Sequence, residues 1–178
     1  MSTKVITGVV RLSFCHLNTP AAVVVGQDPK FSAMILIDKK DVKTLDAINK
    51  AIKFEKGEGW PSGAPTTLKQ PLKDGDGMLN KKGEQRPETK GMFVINASSK
   101  TKPGQVDASR QPILDNSTIY SGCYCRCQLA FAPYNLAASK GVGCYLNNVQ
   151  FIKDGPNLGG KESAEDAFDA YAEDDSGF

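Results

Sequence analysis

Hydrophobic and polar positions alternate most regularly from Thr118 to Pro133, TIYSGCYCRCQLAFAP. Ile119, Cys123, Cys125, Cys127, Leu129 and Phe131 form an apolar set, and Tyr120, Tyr124, Arg126 and Gln128 a polar and aromatic one. Period two over this length predicts a β-strand with one face on a core and the other on solvent. Four more strands are expected at Lys4–Leu17, Lys30–Ile37, Gly91–Ala97 and Lys140–Lys153, all rich in β-branched and aromatic residues. Gly8 inside the first of them marks a bend or bulge. Between the second and third, over Asp38–Lys56, the period changes. Val42, Leu45, Ile48 and Ile52 recur every three to four residues, which predicts an amphipathic helix capped by Asp38 or Asp41 and ended by Gly57 and Gly59.

Residues 57–90 keep no period. They hold the single tryptophan, Trp60, and scattered bases at Lys69, Lys73, Lys81, Lys82, Arg86 and Lys90. A stretch of this length without regular structure is more often functional than filler. It reads either as a loop that closes over a nucleic-acid strand or as a solvated insertion with Trp60 packed on the body. Asp74-Gly75-Asp76-Gly77 lacks the further oxygen ligands of a calcium loop and reads as a turn. The element order is strand, strand, helix, long insertion, then three strands, with a hairpin between the last two. That order suits a mainly β, five-stranded Greek-key barrel of the OB type; an open α+β sheet is the alternative.

Composition adds limits. The 178 residues suffice for one domain with a proper core. No apolar run approaches the roughly 20 residues of a membrane span, and the N-terminus lacks a signal-peptide core, so a cytoplasmic protein is expected. Five cysteines without a secretion signal argue against a disulfide framework. The C-x-C-x-C run departs from the usual zinc spacing and puts all three thiols on the apolar face, where they serve as small hydrophobes. No metal or other cofactor is called for. The one histidine, His16, has no evident catalytic partner, and no phosphate loop, dinucleotide fingerprint or Ser-His-Asp set is present. An enzyme is therefore not expected.

Charge is unevenly placed. Of 22 basic and 20 acidic residues, one base and seven acids fall in residues 161–178, leaving a body of +8 and a tail of −6. This predicts two units: a basic domain over residues 1–160 for a polyanion, and an acidic, flexible tail over 161–178. Aromatic and cationic residues on open strands suit stacking on bases and pairing with phosphates. The residues expected to touch DNA are Arg11, Lys30, Trp60, Lys100, Lys102, Tyr120, Tyr124 and Arg126. Tyr124 and Arg126 lead, although tyrosine and arginine are also simply good exposed strand residues.

The stretches TGVVRLSF, PKFSAMILI, PLKDGDG, FVINASSK, IYSGCY, KGVGCYLNNVQFIKDGPNLGG and SAEDAFDAY, spread over nearly the whole chain, resemble a family of phage single-stranded DNA-binding proteins long catalogued as a domain of unknown function. The resemblance implies an OB-fold body that coats DNA in replication, recombination or repair within the bacterial host cell, and no catalytic site. The cysteine-rich strand departs from the family pattern, where ordinary small or apolar residues stand. The acidic ending on Phe178 is similar to the tails of phage replication single-stranded DNA-binding proteins. It makes Glu173, Asp174, Asp175 and Phe178 the expected partner-binding residues, toward a polymerase, helicase or recombination protein. The tail doubles as an internal DNA mimic. Homo-oligomerisation is left open. A nuclease or recombination enzyme, and a protein-interaction module that ignores DNA, are the rival readings.

Overall fold

The computed structural model describes residues 3–22, 26, 28–80 and 82–158. Eight strands and one helix follow in the order β1 (Thr3–Ile6), β2 (Val10–Ala21), β3 (Lys30–Asp38), α1 (Val42–Gly59), β4 (Leu72–Asp74), β5 (Met92–Ser99), β6 (Gly104–Val106), β7 (Tyr124–Leu136) and β8 (Ser139–Lys153). The long strands close a ring in which β7 pairs with β2, β2 with β3, β3 with β5, β5 with β8, and β8 again with β7. Every pairing in the ring is antiparallel except β5 with β8, which run parallel at Ser98 and Tyr145. Counted among the five long strands, the ring order is first, second, third, fifth, fourth. This is the closed OB-type barrel, not the open sheet.

The alternation predicted for β7 is what fills the barrel. Cys123, Cys125, Cys127, Leu129 and Phe131 all point inward, against Leu12, Ile35, Ile37, Ile95, Leu146 and Val149. Burial pushes the Cys127 and Cys144 thiols up, and the hydrogen bond with Cys123 together with burial does the same to Cys125, so these sulfurs remain neutral and apolar. The strand itself begins at Tyr124 and not at Thr118. Residues 118–123 form a turn in which Gly122 has a φ of +114°, a conformation open to glycine at no steric cost. The alternation runs through that turn unbroken because Ile119 still reaches the core. The first strand splits at Gly8, as expected of a bend, into β1 and β2, and β2 runs on to Ala21 rather than ending at Leu17.

Helix α1 starts at Asp41, whose side chain accepts the Thr44 N–H at 3.3 Å. Leu45, Ile48 and Ile52 are buried as the period predicts, while Val42 is 59% exposed. The helix continues through Gly57 to Gly59 and is closed by the Trp60 N–H on the Lys56 carbonyl. It lies along the outer edge of β1. The buried Glu55 carboxylate accepts both the Thr3 N–H at 3.0 Å and the Thr3 hydroxyl at 2.6 Å, and Thr44 Oγ1 accepts the Gly8 N–H at 2.9 Å. An edge strand with open N–H groups invites foreign pairing; here helix side chains occupy them. Replacing Glu55 with Ala leaves two donors without partners, which costs about 1–3 kcal/mol. The expected result is lower thermal stability together with faster amide exchange at Val5 and Ile6; unchanged exchange there would remove this role.

Residues 60–91 pack on the outer face of the barrel instead of standing free. β4 pairs with β5, and Lys69 bridges to Gly141. Leu36 and Val94, side by side on the outward face of β3 and β5, are covered, and Thr89 of the segment is itself fully buried. Asp74–Gly77 is the expected turn, with the Asp76 N–H on Asp74 Oδ1. Lys39 lies between Asp74 at 2.8 Å and Asp76 at 2.6 Å. Its ammonium group holds both carboxyls below the usual carboxylate range, so the pairing is complete at neutral pH and is lost only as pH falls through those lowered values. Among the described residues no helix is long and apolar enough to cross a membrane.

Candidate nucleic-acid interface

In OB barrels, oligonucleotides lie on the face of the second and third strands, between the loop joining strands one and two and that joining four and five. In this chain those strands are β3 and β5. The covering segment closes much of their face and leaves one end open as a groove of about 440 Å³. Asn96 and Ser98 of β5 line it, and Lys30 stands at the start of β3. Lys69, Gln70, Pro71 and Lys73 line it from the covering segment, and Tyr134, Leu136 and Val142 to Tyr145 line it from the tip of the β7–β8 hairpin, which Lys69 meets at Gly141. Three lysines and two tyrosines thus converge, and no carboxylate is among the lining residues.

Local sequence sets this shape. Gly141, Gly143 and Tyr145 fall two apart on the outward face of β8, and the Tyr145 ring lies along the strand over Gly143. A Cβ at Gly143 would sit 3.0 Å from ring carbon Cζ. Tyr145 remains 38% exposed, enough to offer a ring to a ligand. Tyr134 sits opposite Gly141 on β7.

The residues expected to touch DNA separate into distinct places. Lys30 lines the groove. Lys100 and Lys102 are exposed on the turn after β5, at the same end: Ser99, before Lys100, pairs with Phe31, after Lys30. Trp60 caps α1, is half-buried, and does not line the groove. Arg11, Tyr120 and Tyr124 belong to a clasp on the segment after β8. Arg11 donates to the Gly122 carbonyl at 3.1 Å and the Pro156 carbonyl at 2.7 Å. The Tyr120 hydroxyl lies 2.9 Å from Asp154 Oδ1 and takes the Gly155 N–H. The Tyr124 ring has the Arg11 guanidinium and the Lys153 ammonium within 5.7 and 5.0 Å of its centre. Arg126 is exposed further along the same strand and donates to the Thr7 carbonyl at 3.2 Å. Glu173, Asp174, Asp175 and Phe178 lie outside the described residues.

Tyr134, Tyr145, Lys69 and Lys73 are the groove residues absent from the expected set. A Gly-x-Gly-x-Tyr run on one strand face, a flat floor closed by an aromatic ring, is the signal that points to Tyr145. Nothing in the aperiodic stretch shows that Lys69 and Lys73 end up lining the same groove as that ring.

The family model described as the single-stranded DNA-binding protein of Enterobacter phage Enc34 matches residues 3–178. A structure of the Enc34 protein in complex with single-stranded DNA superposes with a TM-score of 0.75 at 26% identity, covering 88% of this chain and 89% of that one. The putative protein p50 of Acyrthosiphon pisum secondary endosymbiont phage 1 is 29% identical over 171 residues, 90% of this chain and 89% of the other. The bacteriophage T7 single-stranded DNA-binding protein gp2.5 shares the fold at a TM-score of 0.63 and 11% identity, over 90% of this chain and 97% of that one.

Proposed function

Because the chain belongs to the family of the Enterobacter phage Enc34 single-stranded DNA-binding protein, we propose that it coats single-stranded DNA without reading its sequence and holds the strand in the groove between Lys69 and Tyr145. The observation that carries this reading is the convergence of Lys30, Lys69 and Lys73 with the rings of Tyr134 and Tyr145 in one open groove on the ligand face of the barrel. The lysines neutralise phosphates and release counterions. The tyrosines stack on bases, which any sequence supplies. Lys100 and Lys102 extend the positive track where the strand leaves the groove.

Anisotropy of a labelled oligothymidylate, titrated with protein at several salt concentrations, tests the reading. With Lys30, Lys69, Lys73, Lys100 and Lys102 each on a phosphate, the logarithm of affinity is expected to fall with that of salt at a slope of about −3.5, from about −0.7 per contact. Unlabelled duplex competes poorly. Absence of binding at low salt would leave the protein-interaction reading, and metal-dependent cleavage of the oligonucleotide would favour the nuclease.

The tail, residues 161–178, completes the proposal. At −6 it matches the positive groove, and tethering keeps its local concentration high even when each contact is weak. It competes with DNA for the groove; once displaced, it is free for a polymerase, helicase or recombination partner in the cytoplasm of the host. Deleting residues 161–178 is expected to tighten oligothymidylate binding, most at low salt. Equal or weaker binding in that titration would end the competitor role.

A further inference from the structure

We infer that the barrel carries a second nucleotide site, in a slot of about 280 Å³ between Arg110 and Arg126 on the outward face of the β7–β8 ribbon, taking a phosphate and its base from the same single strand that fills the groove. The inference rests on the proposed function and deepens it. Ile6 and Val106 give the slot an apolar floor, and the two arginines line it with them. Arg126 is held in place by its Nε on the Thr7 carbonyl, at 3.2 Å, and its Nη1 near Gln150 Oε1, at 3.5 Å. Its Nη2 makes no hydrogen bond among the described residues, and neither does the Arg110 guanidinium. The nearby Asp107 carboxylate is turned to its own loop, where it accepts the Ser109 and Gln111 N–H groups. An apolar floor beside two guanidinium forks suits a base or sugar with its phosphate.

Continuity with the groove identifies the occupant as DNA. Tyr145, at the groove, and Gln150, at the slot, lie on the same strand, five residues and about 16 Å apart. Between them Asn148 pairs with Gln128 on the same ribbon. A strand of about three to five nucleotides spans that distance, at about 3.4 Å per phosphate when stacked and more when extended. Groove and slot thus form one path, whose far end sets how long a strand each protein covers. Arg110 itself has a φ of +67°, which an L side chain seldom adopts.

The test is a length series of labelled oligothymidylates, from about 4 to 16 nucleotides, the span of site sizes known for one OB barrel. The full chain is compared with Arg110→Gln/Arg126→Gln. The shortest oligonucleotides, held by the groove, are expected to bind both proteins equally. Affinity then stops rising at a shorter length in the variant, and the salt slope for the long ones is shallower by about 1.4, two contacts at about 0.7 each. Arg110→Gly removes one guanidinium while relieving the positive φ; it is expected to melt no lower than the parent and still to lose half of that slope. A length dependence identical to the parent overturns the inference, and so does a uniform loss at every length. Loss of binding to an acidic, aromatic-containing peptide probe with no change toward DNA overturns it in favour of a protein ligand. If the proposed function itself fails, the parent binds no oligonucleotide of any length.

Discussion

Loss of both groove rings, Tyr134→Ala with Tyr145→Ala, is expected to weaken single-stranded DNA binding more than any other pair of surface changes. A base stacked on an aromatic side chain contributes about 1–3 kcal/mol. Two such rings together contribute roughly 2–6 kcal/mol, or from about thirty-fold to more than ten-thousand-fold in the dissociation constant. The loss should be equal for thymidylate and for mixed sequences, since a ring face does not distinguish bases. Both side chains lie on the outside of the barrel, so the melting temperature should hold. Tyr→Phe at both positions keeps the stacking surface and should keep most of the affinity, which separates stacking from hydroxyl chemistry. Anisotropy titrations alongside thermal melts read all of this. Wild-type affinity in the double alanine variant would move the DNA path off the groove.

The second large effect is on the fold. Phe131 is fully buried at the centre of β7, opposite Thr3 of β1 and Cys144 of β8. Phe131→Ala leaves a cavity that three strands cannot collapse to fill, at an expected cost of about 3–5 kcal/mol. At about 2–4 °C per kcal/mol for a chain of this size, the melting point should drop by roughly 10 °C. Oligothymidylate affinity measured well below that temperature should be little changed, because Phe131 is on the opposite face of the strand from the groove. Cys125→Ser tests the same core more gently. It buries a hydroxyl in place of a thiol and should cost about 1–3 kcal/mol, whereas a metal-ligand role would have made it far more disruptive.

The five long strands and the helix were legible because each carries a burial pattern at its own period. Ile119 to Phe131 show where that legibility ends. The inward set is right at every position, yet the pattern runs without a break through the Gly122 turn, because a turn can keep its apolar residues in the core. The strand start was therefore invisible, and Tyr120 and Arg11, which read as free surface groups, are bound to the segment from Asp154 to Pro156. The covering of the barrel by residues 60–91 was hidden for another reason. Its buried anchors, Leu68, Gly75 and Thr89, follow no period; Gly75 and Thr89 answer to backbone contacts with Met92 at the start of β5 and not to a regular element. Period two places Tyr145 on an outer face; only the tertiary fold brings it into one groove with Lys69. The uneven placement of charge, by contrast, pointed to a polyanion because it needs no geometry.

The Glu55 contacts also bear on how the chain emerges during synthesis. The Thr7 backbone meets Cys127, 120 residues later in the chain, where the Thr7 hydroxyl accepts the Cys127 N–H. Thr3 meets Glu55 after only 52 residues, and Gly8 meets Thr44 after 36. At about 5–20 residues per second, β1 waits roughly 6–24 s for β7 to leave the ribosome. Throughout most of that interval α1 is already made. Its side chains can take N–H groups on the outer edge of the young strand before β7 arrives to pair with the other edge, so β1 is shielded on one side by its own polypeptide while the other waits.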